Sequence, residues 1–113
     1  MATLGMELSS ELSSLEVAID QYAADPTLQA CEMICIRSRM ATATFEELAC
    51  WTQCVHEELR GTLQGILTRA IEVLARDIKP TDVGHRYLQR IIQRRDRIRS
   101  FTLEMLEDCL PSS

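Results

Sequence analysis

The stretch CEMICIRSRMATATFEELACWTQC, residues 31–54, decides the reading of this chain, because it holds two CxxxC pairs and a segment that could reverse direction between them. On a helix, residues i and i+4 stand one above the other on one face. Cys31 and Cys35 therefore form a row on one helix, and Cys50 and Cys54 form a row on the next. Between them, Ala41-Thr42-Ala43-Thr44 reads as a turn. Thr44-Phe45-Glu46-Glu47 supplies the following helix start, with Thr44 at the cap and Glu47 reaching back to it. In an antiparallel hairpin, facing residues are symmetric about the turn. The pairs Cys31–Cys54 and Cys35–Cys50 share one centre, between Thr42 and Ala43, so cysteine register and capping chemistry select the same turn.

Working outward, the remaining punctuation predicts about four helices and no strands. Helix one begins near Ser9 or Ser13, where Ser13 and Glu16 form a second capping box, and runs to about Ala24. Asp25-Pro26 breaks it, with Asp able to cap a helix whose first position tolerates Pro. Helix two then covers about Pro26 to Met40. Helix three is long, from about Phe45 to Asp77, with an apolar stripe at Leu48, Trp51, Val55, Leu59, Leu63, Ile66, Ala70 and Leu74. DIKPTD stops it, since Pro80 cannot continue a helix and Thr81 can cap the next. Helix four spans about Asp82 to Leu110, with Val83, Tyr87, Ile91, Ile98, Met105 and Leu106 on its apolar side and Phe101 at the margin.

Facing helices about 8–10 Å apart leave Cα atoms close enough to overlap the roughly 4.4–6.8 Å range of disulfides. The fold expected is thus all-α, an antiparallel helical hairpin closed by two disulfides with flanking helices. Two other readings of the cysteines stay open. They can be small buried hydrophobes, as reduced Cys commonly is, or ligands of a metal with His56 nearby. Cys109 has no partner in this scheme and reads as an apolar contact near a helix end.

The pattern Cys31-x3-Cys35-x14-Cys50-x3-Cys54, flanked by helices, resembles the twin CX3C motif of the small Tim proteins over about residues 9–77. That resemblance implies a disulfide-closed hairpin of the mitochondrial intermembrane space, without a cleavable presequence. Family members assemble as ring-like hexamers and escort hydrophobic membrane-protein precursors. The expected function is accordingly a precursor chaperone or an accessory subunit of an inner-membrane complex, working in a hetero-oligomer with protein partners. Pro26 and the segment from Thr81 onward depart from the family unit. The competing expectation is a reduced cytosolic helical-bundle adaptor that binds a protein partner through the C-terminal helix.

Composition bounds these readings. A chain of 113 residues with 46% hydrophobic and 26% charged residues is one globular helical domain rather than a disordered tail. No segment reads as a secretory signal, and no apolar run approaches the roughly 20 residues of a membrane span. The net charge of -5 is uneven. Residues 1–36 carry acids and no Lys or Arg, whereas residues 81–100 are arginine-rich. Arg86, Arg90, Arg94 and Arg97 follow helical spacing and form one basic stripe. It suits an acidic protein or anionic lipid headgroups, or a solvated face docked on Glu11, Glu16 or Asp20. Nucleic acid is disfavoured, because no aromatic interleaving or recognised module accompanies the arginines. Gly61 and Gly65 weaken helix three and predict the close approach of another helix, with a hinge as the alternative. No catalytic constellation, phosphate loop or cofactor motif is present, so the expectation is a protein that is not an enzyme and carries no cofactor.

Overall fold

A computed structural model describes residues 2–51 and 56–99. Among them the chain is all-helical, with α1 Ala2–Ala24, α2 Leu28–Trp51, α3 His56–Asp77 and α4 His85–Arg99. The expected places of Cys54, Val55, Phe101, Met105, Leu106 and Cys109 lie outside the described residues. Helix α1 starts well before the Ser13 capping box, because Leu8, Leu12, Leu15, Ile19 and Tyr22 continue one buried stripe at steps of three and four.

The turns show how the ends are made. Thr27, rather than Asp25, caps α2: its Oγ1 accepts the Ala30 N–H at 3.0 Å. After α3, Pro80 removes a backbone donor, and Asp82 organises the reversal. Its carboxylate accepts the Lys79 N–H at 3.0 Å, while its own N–H donates to the Lys79 carbonyl at 2.9 Å.

The largest correction concerns residues 41–44. No turn occurs there; α2 runs unbroken from Leu28 to Trp51. The reason is a single inward face that crosses the segment: Cys31, Ile34, Ser38, Ala41, Phe45 and Leu48 are all buried at helical spacing. Thr42 stays in the helix by bonding back, its Oγ1 donating to the Ser38 and Arg39 carbonyls at 2.9 and 3.0 Å. Phe45, taken as the start of helix three, is a buried anchor in the middle of α2 with 1% of its surface exposed.

Directions follow from the turns and from named contacts. Short reversals make α1–α2 and α3–α4 antiparallel. Helices α2 and α4 run parallel, since Cys31 faces Gly84 near one end and Glu46 meets Arg97 toward the other. It follows that α3 is antiparallel to α2 and parallel to α1, to which the Arg69–Asp20 ion pair ties it. The bundle is rhombic: α1, α2, α4 and α3 follow one another around it, α2 and α3 meet across the short diagonal, and α1 and α4 do not touch among the described residues. Helix α2 therefore packs against all three others. Its inner face joins Leu63, Leu67 and Leu74 of α3 and Leu88, Ile91 and Ile98 of α4 in one core.

Two smaller expectations also change. Gly61 and Gly65 are exposed, with nothing within 4 Å of where a Cβ would stand among the described residues, so no described helix approaches them. Val83, assigned to the apolar side of helix four, is 73% exposed in the turn before α4, and Leu88 takes the buried place.

Candidate functional site

The CxxxC pair at Cys31 and Cys35 sits where α2 meets α4. Both are free, buried thiols. Cys31 lies against the turn before α4, its S–H directed at the Gly84 carbonyl at a long 3.9 Å. Burial first, and the neighbouring Cys35 second, push its thiol up to about 11 from an ordinary 9.0, so it is neutral near pH 7. Gly84 makes this approach possible. A Cβ there would stand 3.2 Å from Ile78 Cδ1 and 3.7 Å from the Cys31 sulfur.

Cys50 does not come to meet Cys35. Cys50 is on α2 itself, and the fifteen residues from Cys35 amount to roughly 22 Å of helix at about 1.5 Å each. A disulfide needs Cα atoms within about 7 Å. In this arrangement the Cys35–Cys50 bond cannot form, and closure of a hairpin by two disulfides is not shown among the described residues. Cys54, the intended partner of Cys31, lies outside the described residues. Among the described residues no three metal-donor side chains converge, and no helix is long and apolar enough to cross a membrane.

Arg94 occupies the place opposite Cys35. Its Nη1 donates to the Cys35 carbonyl at 3.0 Å, to Ser38 Oγ at 2.9 Å and to the Cys35 sulfur at 3.2 Å. Ser38, fully buried, completes the cluster by donating its own hydroxyl to the Cys35 carbonyl at 2.7 Å. A polar seam thus crosses an apolar core with its donors and acceptors satisfied. Arg97, one turn beyond, forks onto Glu46 of α2 at 2.5 and 3.2 Å. These two members of the basic stripe are structural, and they dock on α2 rather than on the acids of α1.

Arg86 and Arg90 remain outside. Both are exposed, and no ion pair joins either to a described residue. Arg90, Gln93, Arg94 and Arg97 line a shallow cleft of about 350 Å³ along the outer side of α4. The stripe is therefore split, half committed to the fold and half facing solvent. Its open half can take carboxylate or phosphate oxygens through charge-assisted, planar hydrogen bonds.

No family model, curated protein or solved structure matches this chain.

One surface escaped the sequence reading. Met33, Ile36 and Met40 are exposed by 39%, 44% and 42%, and their spacing puts them on one outward stripe of α2. Val17 of α1 borders it across a groove shared with Met33 and Arg37. The signal was legible as an i, i+3, i+7 set of large apolar residues. The CxxxC pair at Cys31 and Cys35, interleaved with its start, masks it.

Proposed function

We propose that the chain is a reduced helical-bundle adaptor that docks an acidic segment of a protein partner along the outer face of α4. The observation that carries this reading is the open half of the arginine stripe, Arg86 and Arg90, one turn apart and without ion-pair partners among the described residues, beside the cleft reaching from Arg90 to Arg97. Arg94 and Arg97 support it indirectly, because their bonds to α2 hold the helix rigid under the contact. The buried free thiols of Cys31 and Cys35 suit a reducing compartment such as the cytoplasm. Titrating the full chain with a Glu-rich peptide at several salt concentrations tests it. Reversing both charges, Arg86→Glu with Arg90→Glu, should weaken binding at least about tenfold while helicity is unchanged. Unchanged affinity in that variant would exclude the site.

A second reading retains the small Tim resemblance: an oxidised protein of the mitochondrial intermembrane space, chaperone or accessory subunit of an inner-membrane complex. The shared register of the four cysteines favours it, and the Met33-Ile36-Met40 stripe would suit contact with hydrophobic precursors. It requires α2 to reverse at 41–44. Non-reducing mass analysis of protein from its native source separates the two. Peptides linking Cys31 to Cys54 and Cys35 to Cys50 would support oxidation, whereas free thiols at all four positions would remove it. Bound zinc in stoichiometric amount would point to a metal site instead.

A further inference from the structure

Helix α2 carries stripes on two opposite sides. The inward one, from Cys31 to Leu48, joins the core. The outward one steps by four and three through Gln29, Met33, Ile36, Met40, Ala43 and Glu47, all of them exposed. That alternation repeats every seven residues, the period of a seam along which one helix meets another. Single apolar residues on a surface are ordinary, but three large ones in a row, with Val17 of α1 beside Met33 and 54% exposed, make a patch. Gln29 and Glu47 bound it, so its apolar length is one short helix crossing.

The charges beside the stripe give the independent observation. Glu32, Arg39 and Glu46 recur every seven residues along one flank. Glu46 is taken by Arg97 of α4. Glu32 and Arg39 are exposed, and neither is in an ion pair among the described residues. They cannot pair with each other, being seven residues or roughly 10 Å apart along the helix. Neither has an opposite charge three or four residues away, where helical neighbours stand. An acid and a base on one edge of an apolar seam therefore both lack a partner within the described part of the molecule.

We propose that the outward stripe of α2 is the contact between two copies of this chain, packed antiparallel about a twofold axis with Met33 of each against Ile36 of the other. In that register Gln29 faces Met40, and Glu32 of each copy meets Arg39 of the other. Two symmetry-related ion pairs thus form from charges left unmatched in one copy. Arg37, on the other flank, falls opposite Ala30. The next register, with Met40 against Ile36, brings Arg39 against its own counterpart and is disfavoured by like charge. A parallel pair sends Arg39 toward Thr44, which is buried. Charge thus selects one orientation and one register, and the unbranched methionines adapt to the self-contact. The seam is short, under the roughly 1,200 Å² of a stable interface, so the dimer is reversible, with a Kd on the order of 10–100 μM.

Sedimentation of the full chain in reducing buffer, from about tenfold below to tenfold above that range, should show a monomer–dimer equilibrium. Ile36→Glu, at an exposed position in the middle of the seam, should weaken the dimer at least about tenfold with helicity unchanged. Glu32→Arg and Arg39→Glu should each weaken it by about fivefold or more, since each turns two attractions into two repulsions. Mixing these two variants should restore the parent affinity, because their charges match only between copies. Arg86→Glu with Arg90→Glu should leave the dimer unchanged, so this face and the acidic-peptide site on α4 stand or fall separately. A chain that is monomeric at every concentration overturns the pairing and leaves the stripe to an apolar segment of another protein. A dimer unaffected by Ile36→Glu overturns it by placing the contact elsewhere. Failure of the mixture to recover overturns the antiparallel register.

Discussion

The chain reverses at residues 78–84 and runs straight through residues 41–44, although both segments carry a threonine poised to cap a new helix. The difference lies in what each segment would give up. At 78–84, Pro80 has no N–H to lend to a continuing helix, and Asp82 supplies replacement bonds to both backbone groups of Lys79. At 41–44 every residue can donate. A break there would also separate Ile34 and Ser38 from Phe45 and Leu48, which share one buried face. A capping box satisfies two backbone donors, and its cap residue is worth about 1 kcal/mol. Burying Phe45 alone is worth roughly 1.5–3 kcal/mol. Capping signals place helix ends only where the core does not need the helix to continue.

The sharpest attempt to break this comparison is a proline at 43. Ala43 is exposed, so Ala43→Pro costs no packing; it removes one helical hydrogen bond and crowds the carbonyl of Arg39. In a continuous α2 it should destabilise by about 3 kcal/mol or more in urea unfolding. In a hairpin that turns at 41–44 it would be tolerated within about 1 kcal/mol. Pro80→Ala is the matched control and should change stability little, since Asp82 still holds the turn.

Arg94 makes a smaller test, on the part of α2 just before the missing turn. It bridges α4 to the Cys35 carbonyl and Ser38, so Arg94→Ala should cost about 1.5–3 kcal/mol, the scale of hydrogen bonds to a charged group. Arg94→Lys keeps the charge but loses the planar fork and should fall between. Arg97→Ala, at an exposed ion pair, should cost under about 1 kcal/mol. Arg86→Ala should lie within about 0.5 kcal/mol of the parent. This gradient along three residues of one stripe separates fold from surface.

Alkaline pH probes the other segment, because Cys31 and Tyr22 both pack against the 78–84 turn. The Cys31 thiol is neutral when protonated, and its folded value of about 11 exceeds the ordinary 9.0. Its contribution is therefore fully present below pH 9 and is lost as pH rises toward 11. Tyr22, raised above 10.0, acts in the same direction. Stability should decline across that window, with Cys31 contributing on the order of 1–2 kcal/mol. Chemical denaturation at stepped pH checks this, and Cys31→Ala should flatten the lower part of the decline.

Much of the fold was legible in the sequence, for reasons that mark where legibility stopped. The breaks at Pro26 and Pro80 were found because proline acts through its own covalent structure. The stripe through Leu63, Ile66, Ala70 and Leu74 was found because it is purely apolar. The inner face of α2 was not, since Ser38 and Thr42 interrupt it with polar groups. Their burial is stable only because Arg94, 56 residues away from Ser38, and the helix's own carbonyls satisfy them. No local pattern encodes a partner at that distance. The same long-range contact divides the basic stripe: spacing alone shows four equivalent arginines, and only packing shows that Arg94 and Arg97 are already engaged.

The smallest effect concerns a third place where a helix could have broken. Gly61 and Gly65 each weaken α3 in isolation, yet the helix runs through both with no described residue close beside them. Neither has a positive φ, so an alanine at either position meets no strain. Gly61→Ala and Gly65→Ala should each raise stability by roughly 0.5–1 kcal/mol, by restricting the unfolded chain and favouring helix. Thermal or urea unfolding of the single and double variants measures this, and the two gains should add on one turn-separated face. A loss of stability in either variant would mean that something approaches this face after all. α3 would then hold through its glycines for the reason α2 holds through 41–44: packing that favours continuity over a local signal to break.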